Sequence, residues 1–254
     1  MHLLPIHTPL LKEDDDLVSI LAENANFKDG DILAISSKAI ATVEGSAIAL
    51  KDIEVSKEAE DLSEHCGKTP AHRQAMLDET QRLHGKVVGK CKHAVLTELK
   101  PDGLKEGSVM AASAGLDQSN VPEGYTVGWP KDPVTSIRDL RTALKEKAGV
   151  DIALLITDSC CRPRRIGVTA IALVVNGFDP LEDQRGKNDL FGRAMTMTQE
   201  ARADQLATAA NIIMGNTDAS IPAVIIRDHG IPFSDYEGWV PGLDPEEDLF
   251  HGII

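Results

Sequence analysis

The chain has 254 residues, 42% of them hydrophobic and only 4% aromatic, so it can bury a core built mainly from Ala, Val, Ile and Leu, and disorder is excluded. A formal charge of −14 argues against nucleic acid and anionic membranes as general partners. Anionic small molecules stay open to it where local Arg or Lys, a backbone nest or a metal ion would hold them.

In chain order, the opening stretch MHLLPIHTPLLKEDDD lacks the basic start of a secretory signal and meets a charged run too early for one, and no segment approaches the length of a membrane span. Four cysteines (Cys66, Cys91, Cys160, Cys161) are too few for a disulfide framework in a chain this long. Together these features predict a cytoplasmic protein. Asp15 to Asn24 reads as a helix with Leu17, Ile20 and Leu21 on one face, and DILAIS at 31–36 reads as a buried strand. The stretch 101–134, rich in Gly, Pro and Asp, reads mostly as loop and as a place for function. Ile137, Leu140 and Leu144 recur at helical spacing within Thr135 to Lys147. Strands follow at ALLIT (153–157), TAIALVV (169–175) and AVIIR (223–227). Between the last two, TQEARADQLATAANIIMG predicts a helix capped by Thr198 and ended by a left-handed Gly215. Mixed elements with short connections predict an α/β or α+β enzyme-like body.

Two nucleotide signatures are missing: no G-x-x-x-x-G-K-S/T occurs, and no G-x-G-x-x-G follows a strand. Other stretches carry chemistry, each with an ordinary reading beside it. In SAGLDQSNVPEG (113–124), Asp117, Ser119 and Asn120 make a turn-forming run that alone reads as an Asx or Ser turn. Asp158 and Ser159 end an apolar strand, a common ligand position, and offer hard oxygen donors suited to Mg²⁺ or Mn²⁺ carrying phosphates. A helix cap or turn is the plain alternative for that pair. Arg162, Arg164 and Arg165 concentrate positive charge beside them, either as phosphate or carboxylate clamps or as a surface ion-pair cluster. Arg185, Lys187 and Arg193 could extend the patch.

Cys160 and Cys161 are adjacent, and a bridge between neighbours is strained. With no C-x-x-C and no nearby histidine, zinc is disfavoured; a thiolate lowered by the arginines is possible chemistry but lacks an identifiable base. The eight histidines are scattered without metal-ligand spacing. MGNTDASIPAVIIRDHG (214–230) joins a helix to a strand through a polar loop whose backbone could cradle phosphate or a base.

In this order the segments resemble the coenzyme F420-0:γ-glutamyl ligase family. The resemblance runs through TPLLKEDDDL (8–17), DGDILAISSKAIATVEG (29–45), SAGLDQSNV (113–121), DPVTSIRDLR (132–141), ITDSCCRPRRIG (156–167), the stretch 183–215 and IPAVIIRD (221–228). It implies an α+β, V-shaped fold with mixed sheets, a single ligase unit over 1–254 of two closely interleaved subdomains, and an intertwined homodimer with the site near the junction. It also implies amide formation between L-glutamate and a phosphorylated deazaflavin acceptor, with GTP, Mg²⁺ or Mn²⁺, and K⁺ as a further cation. The acceptor carboxylate would be phosphorylated to an acyl phosphate, which the glutamate amine displaces; no enzyme nucleophile is needed.

Carried over residue by residue, Asp117 and Asp158 match metal-binding carboxylates, Ser159 matches a hydroxyl ligand, and Asn216 or Thr217 can complete the second metal. Asn120, Thr8, Pro9, Leu10, Leu11, Ser37, Lys38 and the loop Gly215, Asn216, Thr217, Asp218, Ala219, Ser220, Ile221, Pro222 fall on nucleotide-contacting segments. Arg162 and Arg165 are the candidates for holding the phosphorylated acceptor. Two departures bear on substrate. Thr42 stands at a lysine position of the family, with Lys38 four residues earlier as partial compensation. Cys160-Cys161-Arg-Pro-Arg-Arg replaces an aromatic or Asn, a Gly, then Arg-Pro-Trp-Arg. The competing expectations are a folate-like acceptor and a paralogue that binds nucleotide without catalysis.

Overall fold

The structure is a computed structural model and describes residues 1–252. Its strands are β1 (His2–Ile6), β2 (Ile32–Ser36), β3 (Ile48–Ala49), β4 (Lys86–Lys90), β5 (Val95–Leu99), β6 (Val109–Ala112), β7 (Tyr125–Thr126), β8 (Ala153–Cys161), β9 (Val168–Phe178), β10 (Glu182–Asp183), β11 (Gln199–Glu200), β12 (Ala223–Arg227) and β13 (Phe233–Trp239). The α-helices are α1 (Leu17–Asn24), α2 (Ser37–Val43), α3 (Lys57–Cys66), α4 (Pro70–Arg82), α5 (Pro133–Ala148) and α6 (Arg202–Met214).

A mixed six-stranded sheet in the order β1-β12-β2-β8-β9-β13 forms the centre; only β2 and β8 run parallel in it. Its inner strands read as unbroken apolar runs because both faces are covered. Leu33, Ile35, Leu154, Ile156 and Ile225 join one apolar cluster with Leu21 of α1, Ile40 of α2 and Ile137 and Leu144 of α5. Ile32, Ala34, Ala153, Leu155, Val224 and Ile226 join the other, against Ala203, Ala207 and Ala210 of α6. Each fully buried Leu or Ile contributes about 1.5–3 kcal/mol. A second antiparallel sheet, β4-β5-β6, packs with α4, which α3 covers in turn, and its Val95 and Leu99 belong to the first cluster. The fold is α+β with mixed sheets.

The four predicted strands lie within or one residue beyond β2, β8, β9 and β12. Two predicted helices match closely: α1 is capped by Asp16, which accepts from Ser19 N at 3.0 Å, and α5 starts at Pro133 under an Asp132 cap. The third needs correction. α6 begins at Arg202, not after Thr198, because Gln199 and Glu200 are spent pairing with Glu182 and Asp183, and Ala201 sits at the cap without a side-chain bond. Gly215 does follow the helix with φ +66°, but its ψ of −169° is extended rather than left-handed helical. The stretch 101–134 carries β6, β7 and a short 3₁₀ turn at Ser113–Gly115 and is otherwise mostly irregular up to α5.

Candidate active site

Register assembles the site. Ile6 pairs with Ala223, Ala223 with Ile35, and Ile35 with Ile156, so one line across the sheet crosses β1, β12, β2 and β8. Just beyond that line lie residues 8–11, 215–222, 36–38 and 157–159. The C-terminal end of a parallel pair is a usual ligand position, and here the β2–β8 pair supplies it. Two backbone bonds pin the 215–222 loop there: Thr8 N to Ser220 O at 3.1 Å and Ser36 N to Pro222 O at 2.9 Å. The resulting cleft has a volume of about 400 Å³.

Asp158 is held through both of its carboxylate oxygens. Its Oδ2 accepts from Lys38 Nζ at 2.9 Å and from Trp129 Nε1 at 2.6 Å, and its Oδ1 accepts from Ser159 N at 2.9 Å. Ser159 Oγ donates to Asn216 Oδ1 at 2.8 Å, which ties β8 to the loop after α6. The turn and helix-cap readings for Asp158 and Ser159 are overturned. The strand does not end before them but continues to Cys161, paired with β9, because the β8–β9 hairpin extends past the apolar core.

Asp117 sits opposite, on a loop held by reciprocal backbone bonds to Val127 at 2.8 and 2.9 Å. Its Oδ1 accepts from Gln118 N, Ser119 N and Ser119 Oγ, which is the Asx-type turn expected from the sequence. Its Oδ2 receives no hydrogen bond among the described residues, and Asp117 lines the cleft. Asn120, in the left-handed region at φ +56°, donates from Nδ2 to Thr217 O at 3.0 Å. The turn and the 215–222 loop are therefore coupled directly.

Of the residues marked in the sequence, Thr8 to Leu11, Lys38, Asp117, Asn120, Asp158, Ser159, Gly215 to Asp218 and Ser220 to Pro222 all line this cleft. Ser37 is buried beneath it, 3.4 Å from Lys38 Nζ, and Ala219 does not line it. Arg162 and Arg165 lie outside it, on the exposed tip of the β8–β9 hairpin. Thr42 lines the cleft one helical turn from Lys38, as the i, i+4 spacing on α2 requires.

The donor set tests whether a divalent metal fits. The candidate donors Asp117, Asp158, Ser159 and Asn216 all line the cleft and offer only oxygen; among the described residues no group of three or more His, Cys, Asp or Glu gathers as a cage. That composition suits a hard cation that keeps water and takes further oxygens from bound phosphates. All four cysteines are free. Cys160 and Cys161 line the cleft wall, but burial pushes the Cys160 thiol up despite the Thr169 hydroxyl and Arg162, which is the opposite of an activated nucleophile.

Sequence reading missed Trp129, whose indole reaches Asp158 from 29 positions away. The available signal was scarcity: the chain has two tryptophans, and both are buried in a core otherwise poor in aromatics.

A family model described as F420-0:γ-glutamyl ligase matches residues 5–228. A coenzyme F420:L-glutamate ligase of Methanopyrus kandleri is 37% identical over 242 residues, covering 95% of this chain and 86% of the relative. The protein of that name from Methanothermobacter thermautotrophicus is 34% identical over 257 residues, covering 96% of each. A third, from Archaeoglobus fulgidus, is 35% identical, covering 86% of this chain and 84% of the relative. With the match spanning both sides of the cleft and every segment that builds it, the chain belongs to the F420-0:γ-glutamyl ligase family.

Proposed function

We propose that this protein is a GTP- and divalent-metal-dependent ligase that joins L-glutamate to coenzyme F420-0, or to its glutamylated form, by an amide bond. Relatives named for that reaction cover nearly the whole chain. The observation that carries the reading is the convergence of Asp117, Asp158, Ser159, Asn216 and Lys38 from four distant segments on one cleft.

The chemistry balances without an enzyme nucleophile. A carboxylate oxygen of the acceptor attacks the terminal phosphorus of GTP and GDP leaves, giving an acyl phosphate. The glutamate nitrogen then attacks the acyl carbon, phosphate leaves, and the amine gives up a proton. Asp117, Asp158, Ser159 and Asn216 would hold Mg²⁺ or Mn²⁺, which supplies neutralisation of phosphate charge. Lys38 supplies a mobile cation beside them, and the 215–222 loop with Asn120 presents backbone and amide groups to the nucleotide.

The same reading makes the protein a homodimer with its site near the junction. Support comes from Arg162 and Arg165, which do not line the cleft of their own chain, and from Ile166, Leu190 and Phe191, almost fully exposed on a single chain.

The test is incubation with L-glutamate, GTP and Mn²⁺ and, in separate reactions, F420-0 or a folate, followed by mass spectrometry. Glutamyl addition to the deazaflavin supports the proposal; addition to the folate alone moves the acceptor. Tight GTP binding without acceptor-dependent phosphate release would mark a non-catalytic paralogue.

A further inference from the structure

We infer that Trp129 is a positioning residue for Asp158, and that cation binding at this carboxylate depends on the indole N–H. The inference rests on the metal-dependent reading above. Trp129 is 2% exposed and donates to Asp158 Oδ2 at 2.6 Å, while Ser159 N holds Oδ1, so both carboxylate oxygens are fixed in direction.

A buried tryptophan usually finds some acceptor, and that alone would be unremarkable packing. What sets Trp129 apart is the construction behind it. Ser113, Ala114 and Gly115 all have positive φ (53°, 54° and 75°), a costly run for residues with side chains. Gly115 lies so close to the indole that a Cβ there would sit 2.6 Å from Trp129 Nε1. The run is buttressed from β5 and from α4. Thr97 Oγ1 accepts from Ala114 N at 3.1 Å, and the fully buried Arg73 guanidinium donates to Ser113 Oγ at 3.2 Å. Arg73 has no carboxylate partner among the described residues; its other bonds go to the carbonyls of Cys66 and Gly67 and to Met76 Sδ. A buried cation without a counter-ion is expensive, and here it braces the turn that presses on the indole.

Trp239 provides the internal contrast. It is equally buried, with its ring centroid 6.0 Å from that of Trp129, yet it donates to a backbone carbonyl, Asp102 O, at 3.0 Å. Donors that orient a metal-binding side chain typically carry about 10–100-fold in metal affinity.

Mn²⁺ binding to the wild-type protein, Trp129→Phe, Trp239→Phe and Asp158→Asn, measured by calorimetry beside thermal melts, tests this. Trp129→Phe is expected to weaken Mn²⁺ binding about tenfold or more. Trp239→Phe is expected to lower the melting temperature but leave that affinity unchanged. Wild-type affinity in Trp129→Phe, with Asp158→Asn defective, overturns the positioning role alone. No Mn²⁺ binding by the wild type overturns the metal reading and this inference with it. Should Trp129→Phe not fold, Trp239→Phe leaves Trp129 as the single tryptophan, excited apart from the two tyrosines. Its emission is expected to shift when Mg²⁺ is added and to stay fixed when Asp158→Asn is also present; a fixed emission without that second change overturns the role.

Discussion

Lys38 Nζ lies 2.9 Å from Asp158 Oδ2, in an ion pair whose side chains are only 20% and 15% exposed. The ammonium therefore neutralises the carboxylate that a bound cation would share. In the metal-dependent reading the two compete, and metal entry frees Lys38 to meet phosphate. Lys38→Met is expected to tighten Mn²⁺ binding by the nucleotide-free protein about tenfold, a difference of about 1.4 kcal/mol, and to weaken GTP binding. Calorimetry with and without nucleotide checks both. Unchanged or weaker Mn²⁺ binding would contradict the competition.

Thr42 shares the cleft-facing side of α2 with Lys38. Replacing it by lysine, which the resemblance implies for this position, adds a second cation to that wall. Thr42→Lys is expected to lower the Kd for GTP several-fold in a direct binding titration. A higher Kd would place the nucleotide elsewhere.

His72 predicts a pH dependence of stability. Its ring is 1% exposed with neither nitrogen partnered among the described residues, and burial, reinforced by Lys68 and Arg73, pushes its pKa from 6.5 down to about 4. Between those values the unfolded chain binds a proton that the folded chain refuses. The His72 contribution is thus complete above pH 6.5 and is lost as the pH falls toward 4, by up to about 3 kcal/mol. Urea denaturation from pH 7.5 to 4.5 should show this decline, and His72→Leu should flatten it. An equal slope in the variant would rule His72 out as its source.

The cysteines should sort by environment. Cys91 and Cys161 are exposed, Cys160 is half-buried with a raised pKa, and Cys66 is buried. Iodoacetamide labelling followed by mass spectrometry should mark Cys91 and Cys161 first, then Cys160, with Cys66 last. Bound GTP should slow labelling at Cys161, which lines the cleft, but not at Cys91. Equal protection of both would indicate global stabilisation rather than cleft occupancy.

The main sheet was legible because strands buried on both faces leave continuous apolar runs, as at ILAIS and ALLIT. The second sheet was not, since KVVGK and VLTEL are short, partly exposed and interrupted by Gly, Lys and Glu. β13, reading FSDYEGW, hides as polar sequence because it is a sheet edge. In the cleft, Asp158 and Ser159 stood out by residue type, and the Asp117 turn by its Asx chemistry. Trp129 and the Arg73 buttress had no such local mark: each acts across tens of residues, through a register and a set of left-handed turns that no short stretch encodes. Arg162 and Arg165, conspicuous in sequence, fall outside the single-chain cleft because the hairpin that carries them projects beyond the sheet.

The reaction itself is tested most directly by oxygen transfer. F420-0 labelled with ¹⁸O in its acceptor carboxylate is incubated with L-glutamate, GTP and Mn²⁺, and both the deazaflavin and the released phosphate are analysed by mass spectrometry. Activation as an acyl phosphate predicts one labelled oxygen in the phosphate released with the first glutamyl group, and none in phosphate released by any later addition. Unlabelled phosphate from the first addition, or GTP left intact with no glutamyl product, would contradict it.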